Sequence, residues 1–217
     1  KENFDKIEGQ VDRVVIVDNG SQNISEIKRL LDKKAEIIEL HKNLGIATAL
    51  NCIMSYAKEN GYDWVLTLDQ DSVCEEELVN RYRKYLQDEK IGILTCNIID
   101  RNFCENYASE EEIDEVPMCI TSASLMRTKA FEAVPGYEER MFIDWVDFDI
   151  CIQIRKAGYA IKKVNYNGIL HEVGKGKNVR LFGKNYITYN HAPFRQYYIA
   201  RNHLYLAKKH PDYISMK

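Results

Sequence analysis

The sequence lacks the features that define several large protein classes. None of its six cysteines, at positions 52, 74, 96, 104, 119 and 151, belongs to a Cys-x-x-Cys pair, and several sit inside apolar stretches. This argues against zinc ribbons and disulfide frames, and for reduced core thiols in a cytoplasmic protein. No apolar run approaches the ~18 to 20 residues needed to span a bilayer. Positive charge is not in excess: 30 Lys and Arg against 33 Asp and Glu leave a net charge of −3, with both signs mixed along the chain. A nucleic-acid partner, which would call for a basic stripe, is therefore not expected. There is no signal-peptide pattern, internal repeat or initiator methionine, and Lys1-Glu2-Asn3-Phe4 reads as the interior of a helix ending near Gly9. What remains is 217 residues, 45% hydrophobic and 29% charged, enough for one domain with one sizeable core.

The chain is organised around Trp64-Val65-Leu66-Thr67-Leu68-Asp69-Gln70-Asp71-Ser72, an apolar run that stops at two aspartates. Trp64 to Leu68 fits a strand buried on both faces. In an extended chain, residues i and i+2 project to one side, so Asp69 and Asp71 can reach one hard cation, Mg²⁺ or Mn²⁺, with diphosphate oxygens completing its shell. In open α/β sheets ligands gather beyond the carboxyl ends of strands. A plainer reading stands beside this one: Ser72-x-x-Glu75 is a capping box for a helix over residues 75 to 87.

Around this stretch, strands and helices alternate. Strands are expected at Val14 to Val17, Ala35 to Leu40, Ile91 to Ile98, Ile161 to Tyr166 and Ile169 to Glu172, with Val116 to Met126 extended. Helices are expected after Asn23, with Ile24, Ile27, Leu30 and Leu31 on one face, from Ile46 to Gly61, over Thr128 to Val134, from the aspartates near 147 to Gly158, and from Pro193 to residue 210. Such alternation predicts an α/β fold, a mostly parallel central sheet with helices on both faces. Residues 101 to 115 read as an exposed acidic loop with solvated charges. Residues 174 to 190, polar, basic and aromatic, read as a lid or binding loop. A second acidic concentration, Phe142-Ile143-Asp144-Trp145-Val146-Asp147-Phe148-Asp149, precedes the helix ending at Gly158.

Val17-Asp18-Asn19-Gly20-Ser21, Asn43-Leu44-Gly45, Leu68-Asp69-Gln70-Asp71, Phe142 to Asp147 and Pro193 to Tyr198 followed by Arg201-Asn202, in that order and spacing, resemble the inverting family 2 glycosyltransferases of the GT-A fold, and within them the bacterial rhamnosyltransferase-like group. The resemblance covers nearly the whole chain and implies a single GT-A domain. It also implies transfer of a sugar, rhamnose in that group, from a dTDP- or UDP-sugar to a saccharide or lipid-linked saccharide acceptor in cell-surface polysaccharide synthesis, at the cytoplasmic face of a membrane. By the same resemblance Asp18 would accept a hydrogen bond from a uracil or thymine ring, and Asn43 and Gly45 would line the nucleotide site. Asp71 would bind the cation directly, Asp69 would lie near the ribose or reach the metal through water, and His171 would help hold metal or diphosphate. The base that deprotonates the acceptor would be Asp147, with Asp144 and Asp149 as rivals; Val146 stands where the family commonly has glutamate. Each residue has a plainer alternative: Asp18 shaping its turn, the aspartates favoured by a helix dipole, His171 structural. The Lys175 to Lys184 segment would clamp the diphosphate. The Tyr197, Tyr198 and Arg201 face is open to an acceptor, a membrane surface or ordinary packing. The family usually begins with a further strand and loop, expected upstream of residue 1.

Two other functions use parts of the same pattern. A haloacid-dehalogenase-type phosphatase also sets Asp-x-Asp over Mg²⁺, but on the first strand of its domain. A non-catalytic sugar-nucleotide-binding domain would keep the donor residues without turnover. A sugar nucleotidyltransferase would need a glycine-rich, arginine-containing loop near its start, and none is visible.

Overall fold

The computed structural model describes residues 2–31, 34–100, 112–171, 177–181, 183–188 and 191–214. Helix α1 (Glu2–Ile7) leads to β1 (Val15–Asp18), α2 (Ile24–Leu31), β2 (Glu36–Glu39), α3 (Ile46–Glu59) and β3 (Trp64–Thr67). Then follow β4 (Val73–Cys74), α4 (Leu78–Arg83), β5 (Ile91–Asp100), β6 (Ile113–Glu115), β7 (Ser124–Arg127) and α5 (Thr128–Glu132). A 3₁₀ turn at Glu139–Met141 precedes α6 (Val146–Lys156), β8 (Ala160–His171), β9 (Lys177–Leu181), β10 (Lys184–Thr188) and α7 (Pro193–Lys209).

The strands assemble as a six-stranded sheet in the order β3-β7-β5-β8-β4, with β6 also on β8, beside a two-stranded sheet β1-β2. The α/β expectation holds, but the strand directions are mixed. Only β1 with β2 and β5 with β8 run parallel; β7 is antiparallel to both β3 and β5. A parallel neighbour needs a helical crossover, which α6 supplies before β8; no described helix separates β5 from β7. Helices do cover both faces. Met126 and Ile93 pack with Leu50, Met54, Ala130, Ile150 and Leu206 on one side, while Leu125 and Leu94 pack with Leu78, Val79 and Tyr82 on the other. Ile150, Ile152 and Ile154 of α6 are fully buried, each contributing roughly 1.5 to 3 kcal/mol. Helix α6, which carries the second group of aspartates, is thus among the most firmly seated elements.

Several expectations are corrected. Strand β3 is paired along one edge, with β7, and its two faces are unequally covered: Val65 is buried in one core while Trp64 and Leu66 pack half-buried against the other. The helix over 75 to 87 shrinks to α4, because Val73 and Cys74 pair with Leu170 and Ile169 of β8 and postpone its start, which puts Glu77 rather than Ser72 at its N-cap position. The two strands at 161 to 172 are one, with a bulge opposite Cys96 and Asn97. Gly168 makes this possible, since a β-carbon there would lie 2.6 Å from the Cys96 sulfur. Part of the expected acidic loop is β6, whose Asp114 and Glu115 face Lys163 and Lys162 of β8 at 3.8 and 3.0 Å rather than solvent alone. Residues 101–111 lie outside the described residues. The expected lid contains an antiparallel hairpin, β9 with β10. On α2, Leu30 is exposed rather than part of a buried face.

Candidate active site

Three loops and one helix end converge. The first loop follows β1, where the buried Asp18 turns back to accept hydrogen bonds from the backbone N–H of Gly20 and of Ser21, each at 3.2 Å. The Ser21 hydroxyl and these N–H groups hold its carboxyl below the usual range, against the opposing pull of burial. The plainer reading of Asp18, that it shapes the turn, therefore describes much of what the carboxylate does here.

The second loop, Asn43-Leu44-Gly45, is stitched to the first by Asn19, a residue of the quoted motif to which the sequence alone assigns no site role. The Asn19 amide donates to Asn43 Oδ1 at 3.2 Å and to the Gly45 carbonyl at 3.1 Å, and its oxygen accepts from Leu44 N–H at 2.8 Å. Gly20 and Gly45 both have φ of 88°, and close contacts fill the space a side chain would need. On Gly20 a β-carbon would lie 2.8 Å from the Lys42 backbone; on Gly45 it would lie 2.7 Å from the Phe142 carbonyl oxygen. The only sequence signal of this seam is the Asn-Gly pair.

The third loop carries Asp69 and Asp71. Strand β3 ends at Thr67, and the aspartates lie in a turn closed by Ser72 N–H on the Asp69 carbonyl at 3.2 Å, so they do not follow the extended spacing expected of them. That turn is pinned from outside: Asn3 donates to the Asp69 carbonyl at 2.9 Å, Asp69 N–H donates to Ser122 Oγ at 3.2 Å, and Ser122 donates to Ser72 Oγ at 2.7 Å. The buried hydroxyl platform of Thr121, Ser122 and Ser124 escaped the sequence reading. Among the described residues no group of three or more His, Cys, Asp or Glu side chains gathers as a metal site. Two carboxylates on one turn still suit Mg²⁺ or Mn²⁺, which commonly take one or two protein carboxylates plus substrate phosphates. The side chain of His171, and Lys175 with it, lies outside the described residues.

The helix end is that of α6, and its approach is strained. Phe142 has φ 64° and ψ −58°, with Ile143 N–H donating to the Met141 carbonyl at 2.7 Å, a γ-turn of the rare positive-φ kind. Asp144 and Trp145 follow with φ of 63° and 67°. None of the three is glycine, and each such conformation costs on the order of 1 to 3 kcal/mol. Beyond the turn the three aspartates separate. Asp144 is held by Arg195, whose Nε and Nη2 both donate to it at 3.0 to 3.2 Å. Asp149 is fully buried, receiving Gln153 Nε2 at 2.7 Å and meeting Lys209 Nζ and His210 Nε2 at 2.8 Å each. Asp147 accepts from Phe148 N–H of its own helix at 3.0 Å and, among the described residues, meets no cationic side chain.

Asp147 also borders a crevice with no room for a water molecule, between Thr121, Ser124, Tyr137 and the thiols of Cys119 and Cys151. Burial, with the charges of Asp144 and Asp69 adding to it, pushes its carboxyl up to about 6. Thr121 and Ser124 flank Ser122, whose hydroxyl accepts from the Asp69 N–H, so the crevice joins the acidic turn to the helix end. Cys119 and Cys151, sulfurs 3.7 Å apart, are thiols as expected, and the Cys119 thiol is pushed up by its contact with Cys151 and by burial. The expected face of α7 divides: Tyr197 is exposed, whereas Tyr198 stacks on Phe142 with ring centres 5.2 Å apart and lies under the Arg201 guanidinium.

Comparison with known proteins bears on the family and the fold. The dTDP-rhamnosyl transferase RfbF of Shigella flexneri is 30% identical over 213 residues, covering 90% of this chain and 71% of its own. The structure of TarS from S. aureus in complex with UDP superposes with a TM-score of 0.64 at 16% identity, over 80% of this chain and 56% of that one. GalNAc-T7 with UDP, GalNAc and Mn²⁺ gives 0.58 at 13% identity, over 79% and 38%. The chain thus spans about half, or less, of these solved chains, and the likeness carries the GT-A fold. The phosphatase alternative falls, since the acidic pair follows the third strand of the chain rather than the first. With the family model for glycosyl transferase family 2 matching residues 1–135 and RfbF matching beyond them, the chain belongs to glycosyl transferase family 2.

Proposed function

We propose that residues 1–217 act as one glycosyltransferase domain, moving a sugar, with rhamnose the first choice, from a dTDP- or UDP-linked donor to a saccharide or lipid-linked saccharide acceptor with inversion at the anomeric carbon. The work is cytoplasmic, in cell-surface polysaccharide synthesis, with α7 near a membrane face; no described helix is long and apolar enough to cross one. The observation that carries this reading is geometric: Asp147 shares a crevice with Thr121 and Ser124, on either side of the Ser122 hydroxyl that accepts from the Asp69 N–H, so the acidic turn and the end of α6 stand on one platform. RfbF is by name a transferase of dTDP-linked rhamnose, and TarS was solved with UDP and UDP-GlcNAc, which supports a pyrimidine donor.

In this reading Asp18 and the Asn43 to Gly45 loop receive the nucleotide, and Asp69 faces the ribose. Asp71, with Asp69 and His171, would hold Mg²⁺ or Mn²⁺, which when bound offsets charge on the departing diphosphate. Asp147 takes the proton from the acceptor hydroxyl as its oxygen attacks the anomeric carbon and the bond to the diphosphate breaks on the opposite side. Asp144 cannot compete as base while Arg195 holds it, nor can Asp149 from its buried position.

A thermal-shift panel of dTDP, UDP, GDP, CDP and ADP, each with Mn²⁺, Mg²⁺ or EDTA, tests donor and metal together. A ligand at 100 times its dissociation constant stabilises by about 2.7 kcal/mol. The expected result is a shift with dTDP or UDP only when metal is present, lost in Asp71→Ala. A shift that survives EDTA and Asp71→Ala would make this a sugar-nucleotide-binding domain without metal-assisted transfer.

A further inference from the structure

The turn before α6 is held in shape from a helix about 60 residues away in sequence. Asn202 of α7, 1% exposed, directs its side-chain nitrogen at three backbone carbonyls of that turn: Met141 at 2.8 Å, Ile143 at 2.8 Å and Asp144 at 3.0 Å. An amide nitrogen has two hydrogens, so one is shared among them. Its oxygen is fixed in turn by Arg201, which donates to it from Nη2 at 2.8 Å and from Nε at 3.0 Å. The guanidinium also reaches the carbonyls of Arg140 and Met141. With the oxygen facing a cation and the nitrogen facing carbonyls, the amide has one orientation.

We propose that Asn202, oriented by Arg201, is a positioning residue for transfer: it sets the shape of the 141–145 turn and thereby the placement of the Asp147 carboxylate relative to the donor loop. This rests on Asp147 being the base. Two observations distinguish the role from simple attachment of a helix. Helix α7 is already anchored by buried Leu206 and Ala207 and, at its far end, by the hydrogen bonds of Lys209 and His210 to Asp149, which do not involve the carbonyls of the turn. The turn itself also bridges both halves of the site. Its Phe142 carbonyl accepts the Ile46 N–H at 2.7 Å where α3 begins, directly after Gly45, and its other end runs through Trp145 into α6. Three residues at positive φ do not keep such a shape unaided, and one amide satisfying the carbonyls of Met141 and Ile143, on either side of Phe142, and of Asp144 itself is what over-determines it. Arg195 on Asp144 and the Trp145 indole on the Ile199 carbonyl, both from α7, complete the hold.

The test is a double-mutant cycle on the full chain, reading nucleoside diphosphate release from dTDP-rhamnose or a UDP-sugar with water as acceptor. Asn202→Asp keeps the shape but replaces the donor with a carboxylate facing three carbonyls. It is expected to lower kcat at least 30-fold with donor KM within 3-fold, yet to lower kcat less than 3-fold further in an Asp147→Asn background, since a residue acting through the base has nothing to place once the base is gone. Arg201→Lys, which keeps the charge but not the fork, is expected to give a 3- to 10-fold loss with the same non-additivity, and it carries the cycle if Asn202→Asp does not fold. Losses that multiply in the double variants, or an unchanged kcat in the foldable single variants, would overturn the positioning role while leaving Asp147 as base. An Asp147→Asn enzyme with kcat near wild type would instead remove the base assignment on which the role rests.

Discussion

The donor loops and the base-bearing turn touch at Gly45 and Phe142 but are built on opposite principles. On the donor side, positive φ falls on Gly20 and Gly45 and on His41, a residue type that enters the left-handed region more readily than phenylalanine or tryptophan, and the stitching comes from Asp18, Asn19 and Asn43, residue types that favour turns by bonding nearby backbone. On the base side, positive φ falls on Phe142, Asp144 and Trp145, and the hold comes from side chains of a helix more than 50 residues downstream. A loop made of permitted conformations can open and re-form around a nucleotide at little cost. One made of forbidden conformations keeps its shape only while its partners stay in place, which suits a carboxylate that must meet one hydroxyl in one direction.

Loss of the base should produce the largest effect. Asp147→Asn is expected to reduce kcat by roughly 10² to 10⁴ while the metal-dependent nucleotide shift persists, because only the base side is touched. Steady-state nucleoside diphosphate release beside a thermal-shift titration measures both, and parallel loss of the two would break the separation between the sides. Next comes Asp149→Ala, which strands Lys209 and His210 against the interior. A loss of about 3 kcal/mol in denaturant unfolding is expected, as for other buried pairs deprived of one partner.

Gly45→Ala probes the shared boundary. It forces a side chain into a glycine-only conformation and against the Phe142 carbonyl, with an expected cost of about 1 to 3 kcal/mol in unfolding and weaker nucleotide shifts. If it also lowers kcat at saturating donor, the contact transmits displacement from one side to the other.

The pH dependence sharpens the comparison through Asp147 alone. Its carboxyl binds a proton more tightly folded, at about 6, than the ordinary 3.8 expected of an unfolded chain. Its contribution to stability is therefore complete below pH ~4 and is lost as pH rises through about 6. Two units correspond to at most about 3 kcal/mol, and partial exposure of the side chain reduces this to about 2. Unfolding followed from pH 4 to 8 in EDTA should show that decline in the wild type and not in Asp147→Asn, which is expected to be the more stable protein at pH 7.5. Turnover should run the other way, rising with pH through about 6 as the base loses its proton.

What could be read from the sequence follows from the range of the interactions. Local patterns located the helices from Ile46 and from Pro193 and the acidic stop after β3, because periodicity and proline act within a few residues. They did not reveal that β7 inserts between β3 and β5, since alternation of elements does not encode strand direction when no helix crosses over. Nor could they separate Asp144, Asp147 and Asp149. What divides those three is Arg195, Lys209 and His210, residues that the spacing of the acidic cluster cannot pair with any one aspartate. The strain at Phe142 was invisible for a related reason: it arises where the residue type disfavours the backbone, and the compensation comes from Asn202.

The smallest expected effect tests whether a polar contact outside the site matters at all. Lys28 meets Glu39 at 2.5 Å on the surface, between the helix after the first donor loop and the strand before the second, with the lysine side chain 47% exposed. A pair in that setting gains little over its hydrated state and gives up side-chain freedom, so Lys28→Ala should change unfolding by about 0.2 to 1 kcal/mol and leave nucleotide binding unchanged. Raising salt should shrink the difference further. The donor loops close through glycines and Asn19 instead, so a weaker dTDP or UDP shift in Lys28→Ala would mean that this ion pair, and not backbone geometry alone, sets the separation of the two loops.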